Sequence, residues 1–222
     1  YVKQTGILLT LAFDLLLDVG ANTGQFARQA REQGYRGRIV SFEPLAQAHA
    51  QLRRRAAGDA LWSVHGRCAL GASAGSVTIN VSGNSVSSSV LPMLDSHARS
   101  APGSGYVDRQ QVPLETLDAV VPRYRRPGER LYLKIDAQGY EAPVLAGAAE
   151  TLAQTDGVQL ELSTVPLYAG QELYPHFLAR LADAGFVLWT LSPGFFDADS
   201  GRMMQFDVVF IREALARQVS GV

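Results

Sequence analysis

Leu15-Leu-Leu-Asp18-Val-Gly20-Ala21-Asn22-Thr-Gly24 is the stretch that decides the architecture. A continuous apolar run over residues 15–19 has the pattern of a parallel strand buried on both faces. Residues 25–33 then read as a helix that stops at Gly34. A glycine-bearing turn between strand and helix bends tightly, brings backbone close to a ligand, and aims unpaired helix N–H groups at its polar end. Nineteen residues beyond Gly24, Glu43 closes a second strand over residues 38–43. A carboxylate there can accept both hydroxyl hydrogens of a ribose. Nicotinamide enzymes use the same acidic spacing, so spacing alone does not choose the cofactor. The glycines do more, because Gly20-x-x-x-Gly24 is not the G-x-G-x-x-G of a dinucleotide site.

Outward from this core, strand and helix patterns alternate. Pro44 leads into a helix over residues 45–57, and residues 61–65 read as a third strand. The alternation then breaks. Val77, Ile79 and Val81 alternate with polar residues, as in a half-exposed strand. Residues 82–105, rich in serine and glycine, read as an inserted, mobile loop, followed by a short strand at 110–113 and a brief helix at 117–118. The whole insertion spans about residues 74–116 of what reads as a single domain, 1–222. Alternation resumes with strands at 131–136 and 158–162 and helices at 142–153 and 173–184. Strands at 186–191 and 206–211 lack an intervening helix, which predicts an antiparallel hairpin.

Bulk composition excludes several classes. With 47% hydrophobic residues, 222 residues can bury one substantial α/β core. A formal charge of −1 argues against general nucleic-acid or anionic-membrane binding. The longest apolar stretch, residues 7–19, is interrupted by Asp14 and Asp18 and is too short to span a bilayer, so no stable membrane insertion is expected. One cysteine, Cys68, rules out an internal disulfide and fits a reducing, cytoplasmic setting.

Taken together, Asp18 to Gly24, Ser41-Phe-Glu43-Pro44, Leu133-Lys-Ile-Asp-Ala-Gln-Gly-Tyr-Glu141, Leu160-Glu-Leu-Ser163 and Gln205-Phe-Asp-Val-Val-Phe210 resemble the FkbM family of methyltransferases. The resemblance covers about residues 15–212, with the motifs in the family's order. It implies an α/β, class I methyltransferase, Rossmann-like three-layer sandwich: a mostly parallel seven-stranded sheet with a C-terminal antiparallel hairpin. It implies S-adenosylmethionine as cofactor and O-methylation of a sugar, glycolipid or secondary metabolite. On that resemblance Asp18, Gly20, Ala21, Asn22 and Gly24 belong to the loop under the methionine part of the cofactor. Glu43 and Pro44 face the ribose, Cys68 and Ala69 lie near the adenine, and Asp136 stands beside the cofactor.

Lys134 and Asp136 alternate with Leu133 and Ile135, so two polar groups project from one face of an otherwise apolar strand. Buried charges need partners. In the implied sheet order Glu161 comes from the neighbouring strand, roughly 4.8 Å away. Three roles fit: a Lys134–Glu161 ion pair that positions Asp136; Asp136 or Glu161 as the base that takes the acceptor's proton; or a divalent cation held by Asp136, Glu161 and Glu141. Glu141 equally suits a helix cap. Tyr168 and the Ser87 to Ser89 run are candidates to line the acceptor pocket. His49, His65, His97 and His176 match no local metal motif, and no metal is expected. Two other readings remain, a nicotinamide-dependent oxidoreductase and a non-catalytic S-adenosylmethionine-binding protein.

Overall fold

The computed structural model describes residues 4–220. Its larger sheet has seven strands: β1 (Leu15–Val19), β2 (Arg38–Phe42), β3 (Trp62–Val64), β7 (Leu131–Ile135), β8 (Gly157–Ser163), β9 (Phe186–Pro193) and β10 (Gln205–Arg212). They lie in the order β3-β2-β1-β7-β8-β10-β9. All neighbours are parallel except the two pairs that β10 makes, with β8 and with β9. The short linker between the last two strands therefore makes the antiparallel hairpin its length requires. Every residue of β1 and β7 is buried, which explains why both are apolar but for one charged residue each, Asp18 and Lys134.

Helices α1 (Ile7–Thr10), α2 (Gln25–Glu32) and α3 (Ala46–Ala56) precede the insertion. Ile7, Leu8 and Leu11 pack with Leu16, Tyr132 and Ile211 in one core; Leu17, Leu133, Leu160 and Phe177 belong to the other. The opposed parity of Leu16 and Leu17 puts one core on each side of the sheet.

The insertion is more ordered than its composition suggests. Strands β4 (Ala69–Leu70), β5 (Gly75–Ser82) and β6 (Tyr106–Glu115) form a separate three-stranded sheet, with β6 much longer than the predicted 110–113. The serine-rich stretch, expected as a mobile loop, carries helix α4 (Asp95–Ser100) and is pinned at several points. Ser82, Ser87 and Ser89 are buried. Residues 80 and 89 pair through their backbones, and Ser89 Oγ donates to the Gln138 carbonyl at 2.6 Å. Short hydroxyls here saturate backbone groups, a role that a loop reading of serine overlooks.

A second difference concerns residues 142–153. They form two helices, α6 (Glu141–Ala146) and α7 (Ala149–Ala153), after α5 (Leu117–Val120). The break falls at Gly147, where a Cβ would lie 2.0 Å from the Gly71 carbonyl oxygen. Asp118 then caps the new helix, accepting from Glu150 N and Thr151 N at 3.1 and 2.7 Å. Helices α8 (Tyr174–Asp183) and α9 (Glu213–Ser220) complete the fold.

The carboxyl ends of β1, β2 and β7 are fused by backbone contacts. Gly20 N and Ala21 N both donate to the Phe42 carbonyl, at 3.1 and 3.0 Å, and Asp136 N donates to the Val19 carbonyl at 3.1 Å. Gly20 has φ +72°, and a Cβ on it would sit 1.8 Å from the Asp136 carbonyl oxygen. Gly20→Ala is therefore expected to cost about 2–4 kcal/mol, combining backbone strain with a clash that only main-chain movement relieves. Urea denaturation checks this; an unchanged midpoint would show that the turn is not held against residue 136.

Candidate active site

A cavity of about 340 Å³ opens where those three strands end. Gly20, Ala21, Asn22, Glu43, Pro44 and Asp136 contribute to its wall, as do Cys68 and Ala69. Two residues expected at the cofactor loop stand behind this wall instead. Gly24, with φ +89°, starts α2 and meets Leu52 and Trp62, where a Cβ would come within 2.9 Å. Asp18 is fully buried beneath the turn.

Glu43 marks one end of the cavity. Its carboxylate accepts from Asn22 N through Oε2 and from Leu45 N through Oε1, both at 2.8 Å. Burial pushes its pKa up to about 7, against the pull of these two N–H groups. Each oxygen carries two lone pairs, so the carboxylate retains acceptor capacity after these bonds are made. Asn22, at φ +48°, turns its amide toward Ser85, whose carbonyl and hydroxyl lie 3.4 Å away. The insertion thus reaches over the turn.

The other end is crowded with polar groups. Lys134, the single lysine among the described residues, is buried. Its Nζ lies 3.3 Å from Asp18 Oδ1, 3.4 Å from Asp136 Oδ2 and 5.5 Å from the centre of the Phe26 ring. The expected Lys134–Glu161 pair is not formed, and the register explains why. Lys134 stands opposite Asp18 on β1 and opposite Gln159, not Glu161, on β8. Burial lowers the proton affinity of Lys134, but the carboxylates of Asp136, Asp18 and Asp207 outweigh it and hold the ammonium charged. Asp18 is pushed upward by its burial, with Lys134 pulling the other way.

Glu161 is instead held by amides. Gln138 Nε2 donates to Asp136 Oδ1 and to Glu161 Oε2, both at 2.8 Å, and Gln205 Nε2 donates to Glu161 Oε2 at 2.9 Å. Gln138 sits at φ +52°, next to Gly139, against which Tyr168 packs. Tyr168 Oη donates to Gln138 Oε1 at 2.9 Å, so this fully buried tyrosine supports the cluster from behind and does not line the pocket. Ser88 and Ser89 reach the cavity wall; Ser87 does not. Burial, then the nearby charges of Asp136 and Asp207, raise the proton affinity of Glu161 well above the carboxylate range.

A cation shared by Asp136, Glu161 and Glu141 does not fit this arrangement. The Gln138 amide stands between the first two. Glu141 Oε1 accepts from Ala137 N and Gly139 N, at 2.9 and 3.2 Å, and so clamps the loop that enters α6. Of the histidines, His49 binds the His65 carbonyl, His65 and His97 are buried, and His176 is exposed beside Glu172. The sequence places Gln138 at the ligand-binding end of β7 but not in this cluster, and Gln205 and Asp207 went unread as site residues. The last two carried a visible signal, since they alternate with Phe206 and Val208 on a strand that is otherwise apolar.

A family profile described as the methyltransferase FkbM domain matches residues 18–188. The chain belongs to the FkbM methyltransferase family. Among solved structures, the methyltransferase domain of bacterial CtHen1 aligns at TM-score 0.51 with 8% identity, covering 94% of each chain. Magnesium protoporphyrin IX methyltransferase from Synechocystis, solved with S-adenosylmethionine bound, aligns at 0.50 and 10% identity over 94% of this chain and 76% of its own. A protein from Pyrococcus horikoshii provisionally assigned as an RNA methyltransferase gives 0.50 and 12% identity, over 94% and 81%. A search of curated proteins found no match. At these identities the structural likeness speaks for the fold, which is the class I, Rossmann-like methyltransferase fold.

In this FkbM protein, removing the one buried ammonium leaves Asp18 buried without its counter-charge. Lys134→Met is expected to lower stability by about 3–5 kcal/mol at pH 8. The deficit shrinks as pH falls, because Asp18 then takes up a proton and loses its charge. Urea titrations at pH 8 and pH 5 measure this, and an equal deficit at both would separate Asp18 from the effect.

Proposed function

We infer that this protein transfers the methyl group of S-adenosylmethionine to a hydroxyl oxygen of a small polar acceptor, of the sugar, glycolipid or secondary-metabolite kind. One observation carries the reading: a single cavity joins a ribose-competent carboxylate, Glu43, to a carboxylate–amide cluster around Glu161. The glycine turn, the buried acid and the apolar wall from Phe42 and Cys68 suit an adenosyl group chemically. When bound, the sulfonium supplies an already activated methyl, so the protein's task is positioning and exclusion of water.

Glu43 holds the ribose hydroxyls, and Gly20 and Ala21 let the backbone approach. Glu161, which lines the same cavity as Glu43, takes the acceptor's hydroxyl proton when it is ionised. Gln138 and Gln205 fix its orientation. Asp136 and Lys134 are positioning residues that tie this cluster to the end of β1. No step calls for a metal in this cavity.

Because Glu43 binds hydroxyls best as a carboxylate and its pKa is about 7, S-adenosylhomocysteine should bind more tightly as pH rises from 6 to 8, levelling off above. Titration calorimetry across this range checks it. Glu43→Gln should weaken binding and flatten the profile; an unchanged profile in that variant would assign the pH dependence elsewhere.

Turnover is tested with S-adenosylmethionine labelled in its methyl group and a panel of hydroxylated acceptors. Once an acceptor is found, Glu161→Gln should lower kcat by about 10²–10⁴-fold, with nucleoside affinity unchanged. Normal turnover in Glu161→Gln would remove that residue as the base. Binding of NAD in place of S-adenosylhomocysteine would reject the methyltransferase reading itself.

A further inference from the structure

His65, Cys68 and Glu115 form a cluster of which only Cys68 touches the cavity proposed for methyl transfer. One candidate ligand atom from each lies within 4.8 Å of the others, a nitrogen, a sulfur and an oxygen. Among the described residues no other group of three or more histidine, cysteine or carboxylate side chains gathers this way. His65 and Cys68 are buried, whereas the Glu115 side chain is 32% exposed and opens a route from solvent.

The fold holds these three side chains from separate, well-anchored positions. His65 follows β3 and donates its backbone N–H to the Ser41 carbonyl, while its own carbonyl accepts from His49 Nε2. Cys68 immediately precedes β4, and Glu115 ends β6, its backbone carbonyl accepting from Gly71 N at 3.0 Å. The pairing of β4 with β6 places Leu70 opposite Glu115. Two sheets therefore converge on the cluster, and the spacing His65-x-x-Cys68 brings two of its members from one short loop.

The histidine has the environment of a metal ligand. Its Nδ1 is 2.7 Å from Tyr124 Oη, and its Nε2 is 3.5 Å from Glu115 Oε1. The first distance is a good hydrogen bond; the second is long for one. In a tetrahedral zinc site, with bonds of about 2.0–2.3 Å, neighbouring donors lie about 3.3–3.8 Å apart. The 3.5 Å separation matches two ligands flanking one ion. A ligating histidine characteristically engages its second ring nitrogen with an oxygen, which fixes the tautomer. Tyr124 Oη provides that oxygen for Nδ1–H and leaves the Nε2 lone pair directed at Glu115.

We propose that His65 Nε2, Cys68 Sγ and Glu115 form a three-donor binding site for a zinc-like divalent cation, with a fourth position left for water. A thiolate, an imidazole and a carboxylate together favour zinc over magnesium or calcium, which prefer oxygen-only sets. Metal entry exchanges the thiol proton of Cys68 for the ion, and that proton leaves to water. Cys68 also forms part of the cavity wall, so the ion would fix the loop over residues 65–68 on that side of the cavity.

The test uses tag-free, chelator-treated protein without cofactor, so it stands apart from the proposed methyl transfer. Titration with Co(II) should give one equivalent of binding, a near-ultraviolet thiolate-to-cobalt charge-transfer band and the visible absorption of tetrahedral coordination. Zn(II) should displace the cobalt. Cys68→Ser should abolish the charge-transfer band. Glu115→Gln, whose side chain lies outside the cavity wall, should weaken Co(II) binding while its melting temperature without metal stays near that of the wild type. Tyr124→Phe should lower affinity about tenfold through loss of the histidine's partner. Absence of stoichiometric cobalt uptake, or uptake that persists unchanged in both Cys68→Ser and Glu115→Gln, would overturn the site.

Discussion

Three strand ends meet around a residue that has no side chain, and the geometry of the cavity follows from that contact. The Asp136 carbonyl occupies the space where a Cβ on residue 20 would be, while Gly20 and Ala21 both bond to the end of β2. Such close approach sets Glu43, the glycine turn and Asp136 side by side. It also explains how Glu43 and the Asp136–Glu161 cluster come to line one cavity without a long connecting segment. The open α/β sheet offers its ligand crevice at these carboxyl ends, and the fusion of β1, β2 and β7 gives that crevice a rigid floor.

Charge is arranged on that floor with one cation and several acids. Lys134 neutralises Asp18 below the turn and steadies Asp136 at its edge. Glu161, one strand further on, receives amide donors in place of an ammonium. The difference matters chemically. An ammonium partner stabilises the charged form of a carboxylate; Glu161 lacks that contact, and burial with the charges of Asp136 and Asp207 raises its proton affinity despite its amide donors. The positive φ of Gln138 is the backbone cost of placing one amide between two acids.

Much of this was legible in the residues themselves. The apolar runs at β1 and β7, the glycine turn and the helix-free linker between the last two strands gave the sheet and its closing hairpin, and the acid that closes β2 does line the cavity. Polar residues recurring on alternate positions of β7 marked the second end. What the residues could not reveal was pairing across strands. The exchange of Glu161 for Asp18 as the partner of Lys134 depends on a register offset of two residues between β7 and β8. The ordering of the serine-rich segment depends on hydroxyls meeting backbone groups far away in sequence, such as Ser89 and the Gln138 carbonyl. The gathering of Glu115 with His65 and Cys68 likewise needs β6 to return beside β4. Composition and spacing carry no record of such long-range contacts.

A crystal structure of the protein with S-adenosylhomocysteine bound addresses the central claim most directly. The account places both ribose hydroxyls within hydrogen-bonding distance of the Glu43 carboxylate, the amino-acid part over the Gly20 turn, and the sulfur facing the side of the cavity that holds Asp136 and Glu161. A nucleoside lodged away from Glu43, or a sulfur directed away from that acidic cluster, would contradict it.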